Sequence, residues 1–200
     1  MNNQPERQPD MFLIVDVEST CGPDVKREDS EIIEIGYVAL ARDMHKVHVN
    51  YVFIRPIKHP QLTDFCKNLT HISQADVDNS IDYPDALRYM SDDLYGLTNK
   101  RLDELIMVSW GKYDREMFVQ CGLQHHLEHP YPFMGHINLK REYAIVNHLK
   151  SKGMGLQHAL EHAGLQFQGS PHRGVDDALN VSRIMIKQWP NGYTGSMQFM

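Results

Sequence analysis

The sequence predicts an α/β domain built on a mixed sheet, and the order of its periodic segments is the main reason. Strand-like apolar segments come first, at 11–17, 31–40 and 47–54, and the last of them alternates apolar and polar residues. Helical spacing dominates afterwards, interrupted by a short apolar run at 105–108 that is typical of a buried strand. Three consecutive strands followed by alternating strands and helices favour a mixed sheet whose first strands are antiparallel neighbours.

The helical segments follow from apolar residues spaced three or four apart, and a loop rich in His and Pro is predicted at 125–136. Helices are predicted at 62–69, 83–97, 113–121, 137–150, 156–163 and 174–188. We expect residues 1–10 to be a polar N-terminal lead-in, residues 11–189 to form one domain, and residues 190–200 to form a C-terminal tail.

Composition indicates a soluble globular protein. Of 200 residues, 42% are hydrophobic and 23% are charged, and no apolar run reaches the length of a membrane span. The first residues lack the features of a secretory signal, which predicts a cytoplasmic location. Cys21, Cys66 and Cys121 are odd in number and widely spaced, so we interpret them as reduced packing residues and not as disulfides or zinc ligands.

The net charge of −6 is unusual for a nucleic-acid binder, because such proteins generally carry an excess of basic residues. Two bound divalent cations would offset part of this negative charge. A basic stretch at 140–141 and 150–152 is able to face phosphates, although a solvated helix face is the more common meaning of such a pattern.

Asp16 and Glu18 follow an apolar run and end the first predicted strand. Residues two apart on a strand point to the same face, so the two carboxylates are expected to lie side by side. Their mutual repulsion is relieved when a divalent cation binds between them. This pair therefore predicts a metal site.

Three further residues occur where turns meet helices. Asp114 follows the central strand, and His172 and Asp177 lie in the loop and first turn of the last predicted helix. Acids at these positions also stabilise a helix N-terminus, so each segment by itself is weak evidence for a site.

The three segments together resemble the DEDDh 3′→5′ exonuclease family. The shared order is Asp-x-Glu on a first strand, Asp after a central strand, and His-x-x-x-x-Asp-Ala at the start of a late helix. The resemblance extends over about residues 11–188 and includes 32–36 and 69–72. Within the family, residues 16–21, 65–70 and 109–114 most resemble the exoribonuclease branch that trims histone messenger RNA and small interfering RNA ends.

The resemblance implies a ribonuclease H-like fold, with a mixed five-stranded sheet flanked by helices, and a cofactor of two Mg²⁺ or Mn²⁺ ions. It implies that His172 is the general base, a role suited to imidazole because its usual pKa lies near neutrality. The implied metal ligands are the four acids Asp16, Glu18, Asp114 and Asp177. The implied substrate is a single-stranded 3′ end, with RNA favoured, and nucleoside 5′-monophosphates are the implied product.

The implied contacts to the terminal nucleotide come from Thr20, Leu69, Thr70 and Trp110. Trp110 is equally suited to stacking on a base or to packing in the core. The chain departs from the family at His71, where relatives commonly have Gly, and this departure concerns the geometry of the nucleotide pocket and not the metal site.

Two alternatives remain open, and one further motif match is discounted. The same catalytic residues serve a DNA 3′→5′ exonuclease of proofreading or repair type, and a noncatalytic RNA-end binder would keep the fold. The segment His158–His162 matches the His-x-x-Glu-His pattern of inverted zinc peptidases, but its histidines are predicted to lie away from the buried stripe of that helix. A further cluster at His125, His126 and His129 is interpreted as solvated.

Overall fold

The computed structural model describes residues 11–150 and 154–192, and the sheet at its centre has five strands. These are β1 (Met11–Ser19), β2 (Ile32–Ala41), β3 (Lys46–Phe53), β4 (Ile106–Ser109) and β5 (Gly135–Asn138). The strand order is β3-β2-β1-β4-β5. The first three strands are antiparallel neighbours, whereas β4 and β5 run parallel to β1. The predicted mixed five-stranded sheet is confirmed.

Seven α-helices surround the sheet in the described part of the chain: α1 (Asp64–Thr70), α2 (Gln74–Asp78), α3 (Tyr83–Thr98), α4 (Tyr113–Gln124), α5 (Leu139–Val146), α6 (Leu156–His162) and α7 (Gly174–Gln188). Two 3₁₀ turns occur at Arg27–Asp29 and Leu102–Glu104. None of the described helices is both long and apolar enough to cross a membrane.

The central strand β1 is buried on both faces, which explains why its apolar run does not alternate. Leu13 and Val15 face a core shared with α3 and α4. Phe12 and Ile14 face a second core shared with α7. Because helices cover both faces of the sheet, packing fixes β1 along its length. Its last residues therefore have a defined position at the C-terminal end of the strand.

The region after α4 differs from its prediction. A helix was expected at 137–150, but residues Gly135–Asn138 form β5, and α5 ends at Val146. Ile137 pairs with Val108 of β4 in a parallel ladder, and Asn138 caps α5 by accepting a hydrogen bond from the Arg141 amide at 3.1 Å. Ile137 is the only aliphatic residue of β5, and the strand is joined directly to a helix, so it lacks the apolar run by which β4 was predicted.

The edge strand β3 occurs where the alternating pattern predicted a strand at 47–54. Its alternating apolar face is only partly covered, because Val47 and Tyr51 are exposed whereas Val49 and Phe53 pack against buried clusters. Val52, on the other face, packs into the core with α3. The short helix α2 was not predicted. All three cysteines are free, and the proposed lead-in at 1–10 and most of the proposed tail lie outside the described residues.

Candidate active site

Two carboxylates lie at the C-terminal end of the central strand β1. Asp16 is partly buried and Glu18 is buried, with an exposed fraction of 9%. In the antiparallel ladder Asp16 pairs with Gly36 and Glu18 pairs with Glu34 of β2. A third acid therefore lies directly across from the predicted pair, and like charges in this arrangement repel each other.

Asp114 lies near the same strand ends, because β4 runs parallel to β1 and Asp114 follows the C-terminal end of β4. It is the second residue of α4 and is buried. Its Oδ1 accepts a hydrogen bond from the backbone amide of Val17 at 3.1 Å. This contact joins Asp114 to β1 at the residue between Asp16 and Glu18, so the first turn of α4 is attached to the predicted metal site.

His172 and Asp177 come from the loop before α7 and from its first turn. His172 is exposed and has a left-handed backbone conformation, with φ of 61°. Its backbone amide donates a hydrogen bond to Oδ2 of Asp177 at 3.1 Å. The loop therefore folds back on the helix, and both side chains face the end of β1.

Three of the predicted residues meet closely enough to hold one ion. Glu18, His172 and Asp177 each offer a ligand atom, and these atoms all lie within 4.8 Å of one another. Asp16 and Asp114 adjoin this group, since both carboxylates interact electrostatically with the others. All five predicted catalytic and metal-binding residues are therefore assembled in one place, although they are separated by up to about 160 residues in sequence.

The carboxylates are short of neutralising partners. Burial and the charges of Asp114 and Asp177 raise the pKa of Asp16 well above its usual range. Burial and the charge of Asp177 raise the pKa of Glu18 to about 9. Burial likewise raises the pKa of Asp114 and that of Asp177 to about 6. Each shift shows that the ionised form is disfavoured in the absence of a cation.

The donor set fits a hard divalent cation. It consists of four carboxylates and one imidazole, and ions such as Mg²⁺ and Mn²⁺ prefer oxygen ligands. Among the described residues, neither the Asp16 nor the Glu18 carboxylate receives a hydrogen bond, so their oxygens remain available as ligands. Glu18, His172 and Asp177 therefore form a carboxylate and imidazole cluster of the kind that the expected divalent-metal site requires.

The predicted nucleotide-contacting residues are mostly engaged in the fold. Thr20 and Thr70 are buried. The Thr20 hydroxyl accepts a hydrogen bond from the Glu31 amide at 3.0 Å, and the Thr70 hydroxyl donates to the Cys66 carbonyl at 2.9 Å. Leu69 is partly exposed at the end of α1. Their contact with a substrate stays a prediction.

Trp110 is positioned by packing contacts. Its ring lies 5.8 Å from the ring of Tyr143, and its indole N–H donates to the Met154 carbonyl at 3.1 Å. His71 ends α1 in a left-handed conformation, with φ of 58°. Glycine is usual at that position because it has no side chain to clash, so the departure noted in the sequence corresponds to a real backbone requirement.

The alternative metal motifs are not assembled within the described residues. His158 and Glu161 are exposed on α6, and His162 Nδ1 lies 2.7 Å from the Tyr143 hydroxyl. Neither this helix nor the His-rich loop contributes to a cluster able to hold a metal in the part of the chain that the structure describes. Of the basic stretch, Lys140, Arg141 and Lys150 are at least partly exposed, and Lys152 lies outside the described residues.

Sequence reasoning missed three residues beside the site: Glu34, Arg173 and Tyr113. Glu34 is fully buried, and its carboxylate accepts hydrogen bonds from Arg173 Nε at 3.2 Å and from the Gly174 amide at 3.1 Å. The available signal was an acid inside the apolar strand at 32–35, because a buried charge requires a partner. A third missed residue is Tyr113, whose hydroxyl lies 2.6 Å from the Ser19 hydroxyl.

Similarity to known proteins agrees with this geometry. Mouse "3'-5' exoribonuclease 1" is 30% identical over 192 residues, which cover 92% of this chain and 54% of the relative. Mouse "ERI1 exoribonuclease 3" is 33% identical over 180 residues, covering 87% of this chain and 52% of the relative. The chain thus spans about half the length of these curated relatives.

A solved structure of the nuclease domain of 3'hExo, a DEDDh family member, bound to rAMP has a TM-score of 0.81 and 28% identity, and the match covers 96% of this chain and 99% of that one. A structure of a 3'-exonuclease recognising the histone mRNA stem-loop has a TM-score of 0.82 and 25% identity, covering 96% and 71%. The family model described as Exonuclease (RNase_T) matches residues 13–185. This chain therefore belongs to the RNase_T exonuclease family, as the DEDDh resemblance predicted.

Proposed function

We propose that this chain is a divalent-metal-dependent 3′→5′ exoribonuclease that releases nucleoside 5′-monophosphates from a free 3′ end of single-stranded RNA. The main observation behind this proposal is the proximity of Glu18, His172 and Asp177, whose ligand atoms lie within 4.8 Å of one another. The names of the relatives support it, as does the similarity to a nuclease domain bound to rAMP.

The proposed ligands of two Mg²⁺ or Mn²⁺ ions are the four carboxylates Asp16, Glu18, Asp114 and Asp177. When bound, such ions activate the nucleophile and stabilise charge on the phosphate and on the departing 3′ oxygen. The chain itself supplies four acids from three elements and holds Asp114 in place through the Val17 amide. Their arrangement before binding is costly, so cation binding is also expected to stabilise the fold.

His172 is proposed as the general base. Its side chain is exposed, and its backbone is attached to Asp177, so the imidazole is close to the carboxylates and still reaches solvent. It accepts the proton of the attacking water as the oxygen–phosphorus bond forms. The bond from phosphorus to the 3′ oxygen then breaks, and that oxygen takes up a proton.

The loop after α1 is proposed to border the terminal nucleotide. Leu69 offers a partly exposed apolar surface, while the hydroxyls of Thr20 and Thr70 are bonded within the protein. We therefore assign Thr20 and Thr70 to shaping this pocket. Trp110 is assigned to its support, because its indole N–H is already bonded to Met154.

Discrimination between RNA and DNA is proposed to depend on the 2′-hydroxyl of the terminal nucleotide. One hydrogen bond contributes about 0.5–1.5 kcal/mol net, so the expected preference for RNA is several-fold to about tenfold. We also propose the cytoplasmic location predicted from the sequence, which fractionation of cells expressing the tagged chain will test.

The decisive experiment is digestion of matched RNA and DNA oligonucleotides carrying either a 3′ or a 5′ label, with Mg²⁺, Mn²⁺ or excess chelator. A 3′ label should appear at once in mononucleotides, a 5′ label should mark progressively shorter products, and circular strands should survive. Turnover in chelator, cleavage of circles or release of 3′-phosphates would reject the proposal. Equal or faster digestion of DNA in Mg²⁺ would favour the DNA exonuclease, and tight 3′-end binding without turnover would favour the noncatalytic binder.

A further inference from the structure

Glu34 is a fully buried carboxylate next to the acid cluster, and it is not one of the predicted ligands. It is the third residue of the apolar strand β2 and lies directly across from Glu18. A buried ionised carboxylate is costly unless its oxygens are paired. Here both oxygens are paired, with Arg173 Nε at 3.2 Å, Arg173 Nη2 at 3.3 Å and the Gly174 amide at 3.1 Å.

Arg173 is held on its other side by two aromatic rings of β3. Its guanidinium carbon lies 5.8 Å from the centre of the Tyr51 ring and 5.4 Å from that of the Phe53 ring. A planar guanidinium is able to form a two-nitrogen fork to a carboxylate and to contact aromatic rings at the same time, whereas an ammonium group lacks the fork. The side chain that follows His172 is therefore fixed against two neighbouring strands.

The backbone that follows Arg173 is equally constrained. A Cβ added to Gly36 would lie 2.0 Å from the Gly174 carbonyl carbon, and one added to Gly174 would lie 2.9 Å from the Asp16 carbonyl oxygen. The first turn of α7 therefore rests directly on β1 and β2. Its N-terminus also points at the Glu34 carboxylate, an arrangement that the helix dipole favours.

His172 has little packing of its own. It is exposed, its backbone is left-handed, and its imidazole makes no hydrogen bond to any other residue that the structure describes. A general base in such a loop depends on its neighbours for its orientation. Those neighbours are the Asp177 carboxylate, which holds its amide, and Arg173, which is bonded to Glu34.

We propose that Glu34 and Arg173 are positioning residues that hold the His172 loop in its reactive orientation by anchoring it to β2 and β3. This inference rests on the exoribonuclease function proposed above. Glu34 and Arg173 affect the proton-transfer step through the orientation of His172, and neither residue binds the metal or the substrate. The pair should therefore control kcat more than KM or cation affinity.

The main test replaces Arg173 with Lys and, separately, Glu34 with Gln. Arg173→Lys keeps the positive charge but loses the two-nitrogen fork, and Glu34→Gln keeps an acceptor for the Gly174 amide but loses the charge. Each variant is expected to lower kcat by about tenfold to a hundredfold, because small misplacements of a catalytic group cost that much. The KM for a single-stranded RNA oligonucleotide and the Mn²⁺ affinity from calorimetry should each stay within about threefold of wild type.

Two further measurements report on the loop without requiring turnover. Hydrogen exchange at the His172 amide should become faster in both variants, because its bond to Asp177 loosens, and the imidazole resonances of His172 should shift. Combining the two substitutions should cost no more in kcat than the larger single effect, since both remove the same contact. The matched control is Arg88→Lys, which alters an exposed ion pair with Asp85 on α3 and should leave all readouts unchanged.

The proposal is overturned if Arg173→Lys and Glu34→Gln retain kcat within about twofold of wild type. It is equally overturned if kcat, Mn²⁺ affinity and melting temperature all decline together, because that pattern indicates a general structural role. Absence of RNA hydrolysis by the wild-type chain would reject the proposed function instead. In that case hydrogen exchange at His172 still decides whether the pair anchors the loop.

Discussion

Two groups of acids in this chain differ in the hydrogen-bond donors that surround their carboxylates. Asp93 on α3 accepts side-chain hydrogen bonds from three residues, at distances between 2.6 and 3.2 Å: Tyr37, His48 and Asn50. Burial alone would raise the pKa of Asp93, but these hydrogen bonds outweigh burial and hold the pKa below its usual range. At the end of β1, burial and mutual repulsion instead raise the pKa of Glu18 to about 9.

The difference shows how a structural acid is recognised beside a functional one. Glu31 repeats the pattern of Asp93, since its carboxylate accepts backbone hydrogen bonds from three consecutive residues at 2.7 to 3.0 Å: Ile57, Lys58 and His59. Asp16 and Glu18 receive no such bonds from the described residues. Acids that lie together without hydrogen-bond donors carry negative charge that no protein group neutralises, and a bound cation neutralises it.

The largest expected effect comes from neutralising one acid of the site. Asp16→Asn should abolish RNA hydrolysis, because a metal ligand is lost, while circular dichroism remains that of wild type. Asp177→Asn should behave in the same way. Full turnover by Asp16→Asn would contradict the proposed metal site.

The next effect concerns His172. Replacing it with Ala should lower kcat by about 10²–10⁴-fold, the usual contribution of a general base. His158→Ala is the matched control, because His158 is exposed on α6 and belongs to the zinc-peptidase motif that the structure does not assemble. Single-turnover digestion of RNA measures both variants, and a fewfold effect at His172 would remove it from catalysis.

The third effect is on stability and its dependence on pH. Burial and neighbouring charges raise the pKa of Glu18 from 4.5 to about 9, so in chelator the folded state binds more protons than the unfolded state between these values. Stability is therefore highest at low pH within this window and is lost as the pH rises towards 9. Each kcal/mol lost should lower the melting temperature by about 2–4 °C at this chain length.

Thermal unfolding at pH 5, 7 and 9 will measure this dependence. Added Mg²⁺ should restore stability most at the highest pH, because the carboxylates are then ionised and bind the cation. Glu18→Gln should flatten the dependence on pH. A melting temperature that rises with pH in chelator would show that the acids are neutralised by some other means.

The smallest effect on catalysis is expected for Asp93, whose carboxylate accepts hydrogen bonds within the fold. Asp93→Asn should leave kcat and the Mg²⁺ requirement unchanged, but it should destabilise the fold by about 1–3 kcal/mol, because hydrogen bonds to a charged group are weakened. Urea unfolding in parallel with RNA digestion measures both quantities. Loss of activity without loss of stability would remove the distinction between the two groups of acids.

Much of the site could be predicted from sequence because its residues occupy recognisable local positions. Asp16 and Glu18 follow an apolar strand, Asp114 begins a helix after β4, and His172 and Asp177 open α7. Their shared order identified the family. The strand β5 was missed because Ile137 is its only aliphatic residue, so it lacks the apolar run by which β4 was predicted. The alternation in β3 predicted a strand but not its burial, because an edge strand can leave apolar residues exposed.

The sequence alone determined the family, the mixed sheet and the five residues of the candidate site, because each depends on local periodicity or on a motif of fixed spacing. Only the tertiary structure decided which acids are neutralised and which are not. Glu34 lies across from Glu18 through the strand register, and its partner Arg173 is 139 residues away in sequence. Register depends on which face of each strand is buried in the assembled sheet, and long-range ion pairs depend on how helices and strands pack together, so a local pattern by itself gives neither.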